Sequence, residues 1–295
     1  MARNLRIDCH NGGPIIYNQI LVDYLQTLLD NGESVNCAIR KINALRQQLL
    51  LDNQYPEYVN ELDDSGVSIM IRTVGIFADP SFSKECISED IQNLKTVCSS
   101  QNSINYVTTS EQLKHSLENK SKAYIPMIES IENFENDLDI LFEICRKDVP
   151  IVQPVYNTRN FFGSGCFDEN DSGLSEVGRT VLNEMRKIGT IIDYSHISER
   201  TAFDILDSGY PNNIATHTFS SRISQNHRGK SDAFFQVLHQ AEGFAAVTVN
   251  PNLISIKSNN TKSCFLANVE HLLRIIGEDN LGIGTDWDGP MPVCV

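Results

Sequence analysis

The chain has 295 residues, is 41% hydrophobic, and carries 24 Lys and Arg against 38 Asp and Glu, a net charge of −14. That length holds one large domain or two small ones with a sizeable core. The acidic field has no basic stripe to offset it, which argues against nucleic acid and other polyphosphate partners, and no apolar run approaches the roughly 20 residues of a membrane span.

The first predicted strand is "LRIDCH" (5–10), followed by helices around 17–30 and 34–51. A strand over 67–76 and a helix near 83–98 come next, then strand "KAYIPMIES" (122–130) and a helix over 132–146. From there the alternation is regular. "PIVQPVY" (150–156) reads as a buried strand, and 175–189 as an amphipathic helix with Val177, Val181, Leu182 and Met185 at helical spacing. Strand 190–196, helix 198–209, strand 213–218, a helix over 231–242, strand 243–250, helix 266–277 and strand 280–288 complete the order.

Eight β-segments, each followed by a helix except the last, are apolar on both faces, as in a parallel sheet covered by helices. The pattern predicts an α/β fold, a (β/α)8 TIM-like barrel forming a single domain over 1–295. The alternative is a doubly wound open sheet, which normally carries a glycine-rich dinucleotide turn after its first strand. "HNGGP" is not that turn. The eight cysteines are scattered without a CxxC pair, and no basic-plus-apolar leader precedes the first strand. Both features lead to the expectation of a reduced, cytoplasmic protein.

In a barrel of this kind, chemistry sits at the C-terminal ends of the strands. Those ends carry His10, Glu129, Tyr156, His196, His217, Asp286 and Asp288. Taken singly, each also suits a structural role: a hydrogen-bonded histidine, a surface acid, or aspartates capping a turn. Together they present imidazole and carboxylate, the ligand set of zinc or iron, to one mouth. Three of the chain's seven histidines fall at these termini. His115, His227, His239 and His271 lie in predicted loops or helices.

The segments "YNTRNFFGSGC", "GLSEVGRTVLNEMRKIGTIIDYSH", "IDYSHIS", "ATHTFSS" and "GIGTDWDG" resemble the membrane (renal-type) dipeptidase family, its bacterial members in particular. The resemblance spans nearly the whole chain and is strongest over about 150–289. It implies a barrel metallohydrolase that cleaves dipeptides with two zinc ions bridged by a glutamate. On this chain it implies Glu129 as the bridging ligand, His196 and His217 on one metal, and His10 on the other. It further implies Arg228, in "NHRGKSD", for the substrate carboxylate, Asp286 as proton shuttle, and Tyr156 at a substrate-facing position.

Four departures from the family pattern stand out. Gly12 replaces the aspartate of the HxD pair, Ser130 stands where glycine is usual, and Gly229 follows Arg228 in place of asparagine. The chain also ends seven residues after Asp288, so a wall of the pocket is expected to be missing or supplied by another subunit, as in a homodimer. The expectation is one tight metal, zinc or iron, held by Glu129, His196 and His217, with His10 a weak ligand or hydrogen-bond donor. The expected substrate is a dipeptide or small amide-bearing amino-acid derivative. The alternatives are a tailoring enzyme of small-peptide or amino-acid-derived metabolite biosynthesis using a mononuclear zinc or iron site, and a non-catalytic binding protein on the same scaffold. Cys9 is expected to face the surrounding helices, since adjacent strand residues point to opposite faces.

Overall fold

The computed structural model describes residues 6–11, 19–34, 64–74, 84–100, 103–254 and 261–286, together with some positions between 37 and 52. Its strands are β1 (Arg6–Asn11), β2 (Val67–Val74), β3 (Ile104–Tyr106), β4 (Lys122–Glu129), β5 (Ile151–Gln153), β6 (Ile191–Asp193), β7 (Asn213–Thr218), β8 (Phe244–Thr248) and β9 (Leu281–Gly284). All pairings are parallel, in the order β2-β1-β9-β8-β7-β6-β5-β4-β3, and a β2–β4 pairing closes the ring. Eight strands therefore form a closed parallel barrel, as the alternation predicts, and the doubly wound alternative is excluded. The ninth, β3, pairs only with the first residues of β4, Lys122–Tyr124, on the edge that β5 takes up further along.

Helices α1 (Gln19–Asp30), α2 (Lys84–Ser100), α3 (Ser110–Glu118), α4 (Leu138–Lys147), α5 (Glu176–Ile188), α6 (Glu199–Asp207), α7 (Asp232–Gln240), α8 (Pro251–Ile254) and α9 (Thr261–Ile276) lie between the strands. Three starts carry a serine cap: Ser175, Ser198 and Ser231 accept from the amides of Gly178, Thr201 and Phe234. Thr109 and Gln112 form a capping box on α3. The β3–α3 pair went unpredicted because three residues are too few to show a period. The helix expected over 132–146 is a 3-10 turn, Glu132–Phe134, and then α4. Asn136 and Asp137 interrupt it, side chains that compete with helical backbone bonding. No described helix is long and apolar enough to cross a membrane.

On α5, Val181, Leu182 and Met185 are buried as predicted, but Val177 is exposed and Gly178 faces inward instead. A Cβ at 178 would lie 2.0 Å from the Phe162 carbonyl oxygen, so the missing side chain lets the helix dock against that loop.

Two apolar layers hold the barrel. Outside, Met70, Val74, Tyr124, Ile128, Val152, Ile192, Ala215 and Val247 pack against the helices. Inside, Ile71, Met127, Ile151 and Ala246 meet one another, flanked by Ile125, Ile191, Ile214 and Phe244. Cys9 belongs to this inner cluster, contrary to the expectation that it faces the helices. The register of β1 against β2 shifts between Asp8 and Asn11, and β7 against β8 shifts between Ala215 and Thr218. Such irregularities break strict alternation, so Cys9 and His10 both turn inward. Burial pushes the Cys9 thiol up to about 12, which keeps it protonated.

Candidate active site and metal centre

Along β4, the inward positions run from Met127 to Glu129, which puts the carboxylate at the top of the barrel. The shift in β1 brings His10 to it, and the shift in β7 brings His217. His196, Tyr156 and Asp286 lie two or three residues beyond β6, β5 and β9, so the strands are shorter than predicted. At the mouth the chain turns away from its neighbours and ladder pairing stops.

Glu129 Oε1 lies 3.3 Å from His196 Nε2, 3.7 Å from His217 Nε2 and 3.7 Å from His10 Nε2. His196 and His217 bring their Nε2 atoms within 2.8 Å of each other. The ligand atoms of His10, Glu129 and His217 all lie within 4.8 Å of one another. The His10 and His217 rings overlap at 3.8 Å, and Tyr156 stacks on His196 at 4.3 Å. Asp286 Oδ1 is 3.8 Å from His10 Nε2, while its other oxygen accepts from Asn250 Nδ2 at 2.9 Å. Its φ of +53° is unusual for a non-glycine residue, although aspartate tolerates it better than most.

Four donor-bearing side chains sit here with almost no solvent contact. His10 is 0% exposed, and neither of its ring nitrogens has a hydrogen-bond partner among the described residues. Burial holds the His196 and His217 rings well below the usual imidazole range, reinforced by the nearby Arg228 guanidinium and Lys230 ammonium. Unprotonated imidazoles around a carboxylate are what a borderline Lewis acid such as zinc requires. A tetrahedral ion with bonds of about 2.0–2.1 Å sets its donors about 3.3–3.4 Å apart. The spacings within Glu129, His196 and His217 straddle that value. These residues therefore fit a metal ion.

Arg228 is 5% exposed, and its Nε and Nη2 have no hydrogen-bond partner among the described residues. It lies close enough to act electrostatically on both His196 and His217. A Cβ at Gly229 would come within 2.8 Å of the Ser221 backbone, which explains why no asparagine follows the arginine here. Gly12 and Asp288 lie outside the described residues.

Two neighbours escaped the sequence reading. Asn157 Oδ1 is 2.8 Å from His196 Nδ1 and accepts from the Cys166 thiol at 3.4 Å. Lys230, fully buried, donates to the Ile197 carbonyl, and burial pulls its ammonium down to about 8. Each lies within two residues of a position the sequence does mark, Tyr156 and Arg228, and proximity to such positions was the available signal.

Ser130 has φ +146°, a backbone region that favours glycine. Such strain costs of order 1–3 kcal/mol, partly offset in a Ser130→Gly variant by the extra entropy of an unfolded glycine. Ser130→Gly should therefore stabilise the protein by about 1 kcal/mol, seen as a higher denaturant midpoint at unchanged slope. A lower midpoint would mean that Ser130 Oγ, which accepts from the Glu132 amide at 3.3 Å, matters more than the backbone strain.

The family model "Membrane dipeptidase (Peptidase family M19)" matches residues 39–294. Among curated proteins, an uncharacterised dipeptidase of Schizosaccharomyces pombe is 23% identical over 202 residues, 66% of this chain and 49% of its own. Dipeptidase tcpJ of Claviceps purpurea is 29% identical over 166 residues, 55% of this chain and 39% of its own. The chain thus spans half or less of the length of these relatives. Among solved structures, an amidohydrolase from Pseudomonas aeruginosa superposes with TM-score 0.72 at 21% identity, covering 98% of this chain and 75% of that one. A metallopeptidase from Rhodobacter sphaeroides, liganded with a phosphinate mimic of the dipeptide L-Ala-D-Ala, gives 0.74 at 16% identity, covering 96% and 86%. At these identities the superpositions speak for the fold.

Proposed function

The chain belongs to the membrane dipeptidase family, and from that premise we propose that it is a metal-dependent hydrolase of dipeptides or small amide-bearing amino-acid derivatives. The observation that carries this reading is the convergence of three imidazole nitrogens on Glu129 Oε1, within 3.3–3.7 Å, in an almost dry mouth. Glu129, His196 and His217 hold one zinc-class ion, with His10 beside them. When bound, such an ion supplies Lewis acidity, polarising a carbonyl and lowering the pKa of water.

The remaining residues handle the substrate. The Arg228 guanidinium, two of whose nitrogens have no hydrogen-bond partner among the described residues, pairs with the substrate's free carboxylate. Asp286, steadied by Asn250, takes the proton from the attacking water and returns it to the departing amine as the C–N bond breaks. Tyr156 lies flat on His196 and forms a wall of the pocket. The Rhodobacter sphaeroides neighbour carries a mimic of a dipeptide ending in a D-residue, so L,L- and L,D-dipeptides are the first substrates to assay.

Dialysis against 1,10-phenanthroline should reduce dipeptide hydrolysis by about 100-fold or more, and one equivalent of zinc should restore it. Elemental analysis of protein purified without added metal should find about one zinc per chain. Activity that persists in metal-free protein would overturn the proposal. Iron in place of zinc, with oxygen consumed, would move the reading to a tailoring enzyme using the same two histidines and one carboxylate.

A further inference from the structure

Beneath the metal-facing residues lies a buried aspartate that the proposed chemistry does not use. Asp193 is 0% exposed and receives four hydrogen bonds. Its Oδ1 accepts from the Ser195 amide at 3.0 Å, the Ser195 hydroxyl at 2.7 Å and the Thr216 amide at 3.0 Å. Its Oδ2 accepts from the Thr216 hydroxyl at 2.6 Å. The Thr216 Oγ1 lies in turn 2.9 Å from His217 Nδ1.

A hydroxyl has one proton. Thr216 gives that proton to Asp193, so towards His217 it can only accept, and His217 Nδ1 must carry the hydrogen. His196 Nδ1 meets the amide oxygen of Asn157, another acceptor. Both rings are thereby left with bare Nε2 lone pairs, and these are the atoms that meet at 2.8 Å beside Glu129. Two lone pairs at that distance repel unless a cation sits between them.

We propose that Asp193, acting through the Thr216 hydroxyl, is a positioning residue that locks His217 in its Nδ1–H tautomer and so presents Nε2 to a metal ion. A carboxylate–hydroxyl–imidazole chain of this kind orients the ring and raises its basicity as a ligand. The fold contains an internal control. Asp8 grips Thr285 in the same two-point manner, accepting from its amide at 2.8 Å and its hydroxyl at 2.7 Å. There the hydroxyl's second contact is the His10 carbonyl at 3.1 Å, not an imidazole nitrogen. The Asp8 grip holds β1 to the segment after β9, whereas the Asp193 grip also sets a tautomer.

The inference rests on reading His196 and His217 as metal ligands, and the tautomer can be read without metal. Long-range 1H–15N correlation spectra of metal-free, histidine-labelled protein should show His217 protonated at Nδ1 in the wild type. Thr216→Val should move His217 towards the Nε2–H form and weaken zinc binding about 10–100-fold, measured by competition with a chromophoric chelator. Thr216→Ser should restore both. Thr285→Val should lower the melting temperature and leave the His217 tautomer unchanged. An Nε2–H His217 in the wild type would overturn the proposal without any variant. So would an unchanged tautomer in Thr216→Val, or an equal change in Thr285→Val. Wild-type protein with the expected tautomer but no zinc affinity would instead remove the metal reading and leave the relay standing.

Discussion

Glu129→Gln should strip the protein of its metal and abolish dipeptide hydrolysis. The carboxylate lies within 3.3–3.7 Å of three imidazoles and is itself 3% exposed. Its charge offsets that of a divalent ion in a low-dielectric site, where an uncompensated charge is costly. The amide keeps the shape and loses the charge. Metal content is expected to fall from about one ion per chain to near zero, and activity by about 1,000-fold or more. His196→Ala should behave alike, since its Nε2 is the imidazole nitrogen nearest the carboxylate. Elemental analysis of the two variants, with circular dichroism to verify folding, checks the assignment. Wild-type metal content in either folded variant would remove that residue from the ligand set.

Replacing Arg228 should produce the second large effect, and it separates function from stability. A guanidinium 5% exposed, with two nitrogens that have no hydrogen-bond partner among the described residues, is an expensive group to bury. A structural arginine would have partners. An arginine waiting for a substrate carboxylate would not. Arg228→Met should therefore fold with a melting temperature equal to or above the wild type. Its KM for a free dipeptide should rise by about 30- to 1,000-fold, the size expected when one partner of a buried charge pair is lost. A dipeptide amidated at its C-terminus has no carboxylate to lose, so on that substrate variant and wild type should differ little. Arg228→Lys should rescue only weakly, because an ammonium cannot reproduce the planar fork. A marked loss of stability in Arg228→Met, or equal kinetic losses on both substrates, would show that the arginine serves the fold.

The ligand-type residues could be found in the sequence because strand ends are legible there. "IDYSH", "ATHT" and "GTDWD" each place an acid or imidazole just after an apolar run, and in a barrel all such ends open on one mouth. The neighbours that tune those residues were not legible. Lys230 is a cation two residues after another in "NHRGKSD", and nothing in the string separates it from a solvated surface lysine. Its burial follows from where the β7–α7 connection lies over Ile197. Thr216 likewise reads as a β-propensity residue until Asp193, on the neighbouring strand, is seen to hold its hydroxyl.

By itself the sequence determined the (β/α)8 architecture and most helix boundaries, and it marked His10, Glu129, Tyr156, His196, His217 and Asp286, which the structure brings close together. Apolar periodicity records which face of each local segment is buried, and that needs no knowledge of partners. Only the tertiary structure decided the facing of Cys9, the orphaned Arg228, the strain at Ser130 and the relay from Asp193 to His217. Facing near a strand end depends on register with the adjacent strand, and one shifted residue in β1 turns two successive side chains inward. Hydrogen-bond direction depends on which donors and acceptors remain once the strands have paired, as when the single proton of Thr216 is taken by Asp193 and leaves His217 to donate. Both are properties of contacts between residues far apart in the chain, which local composition does not encode.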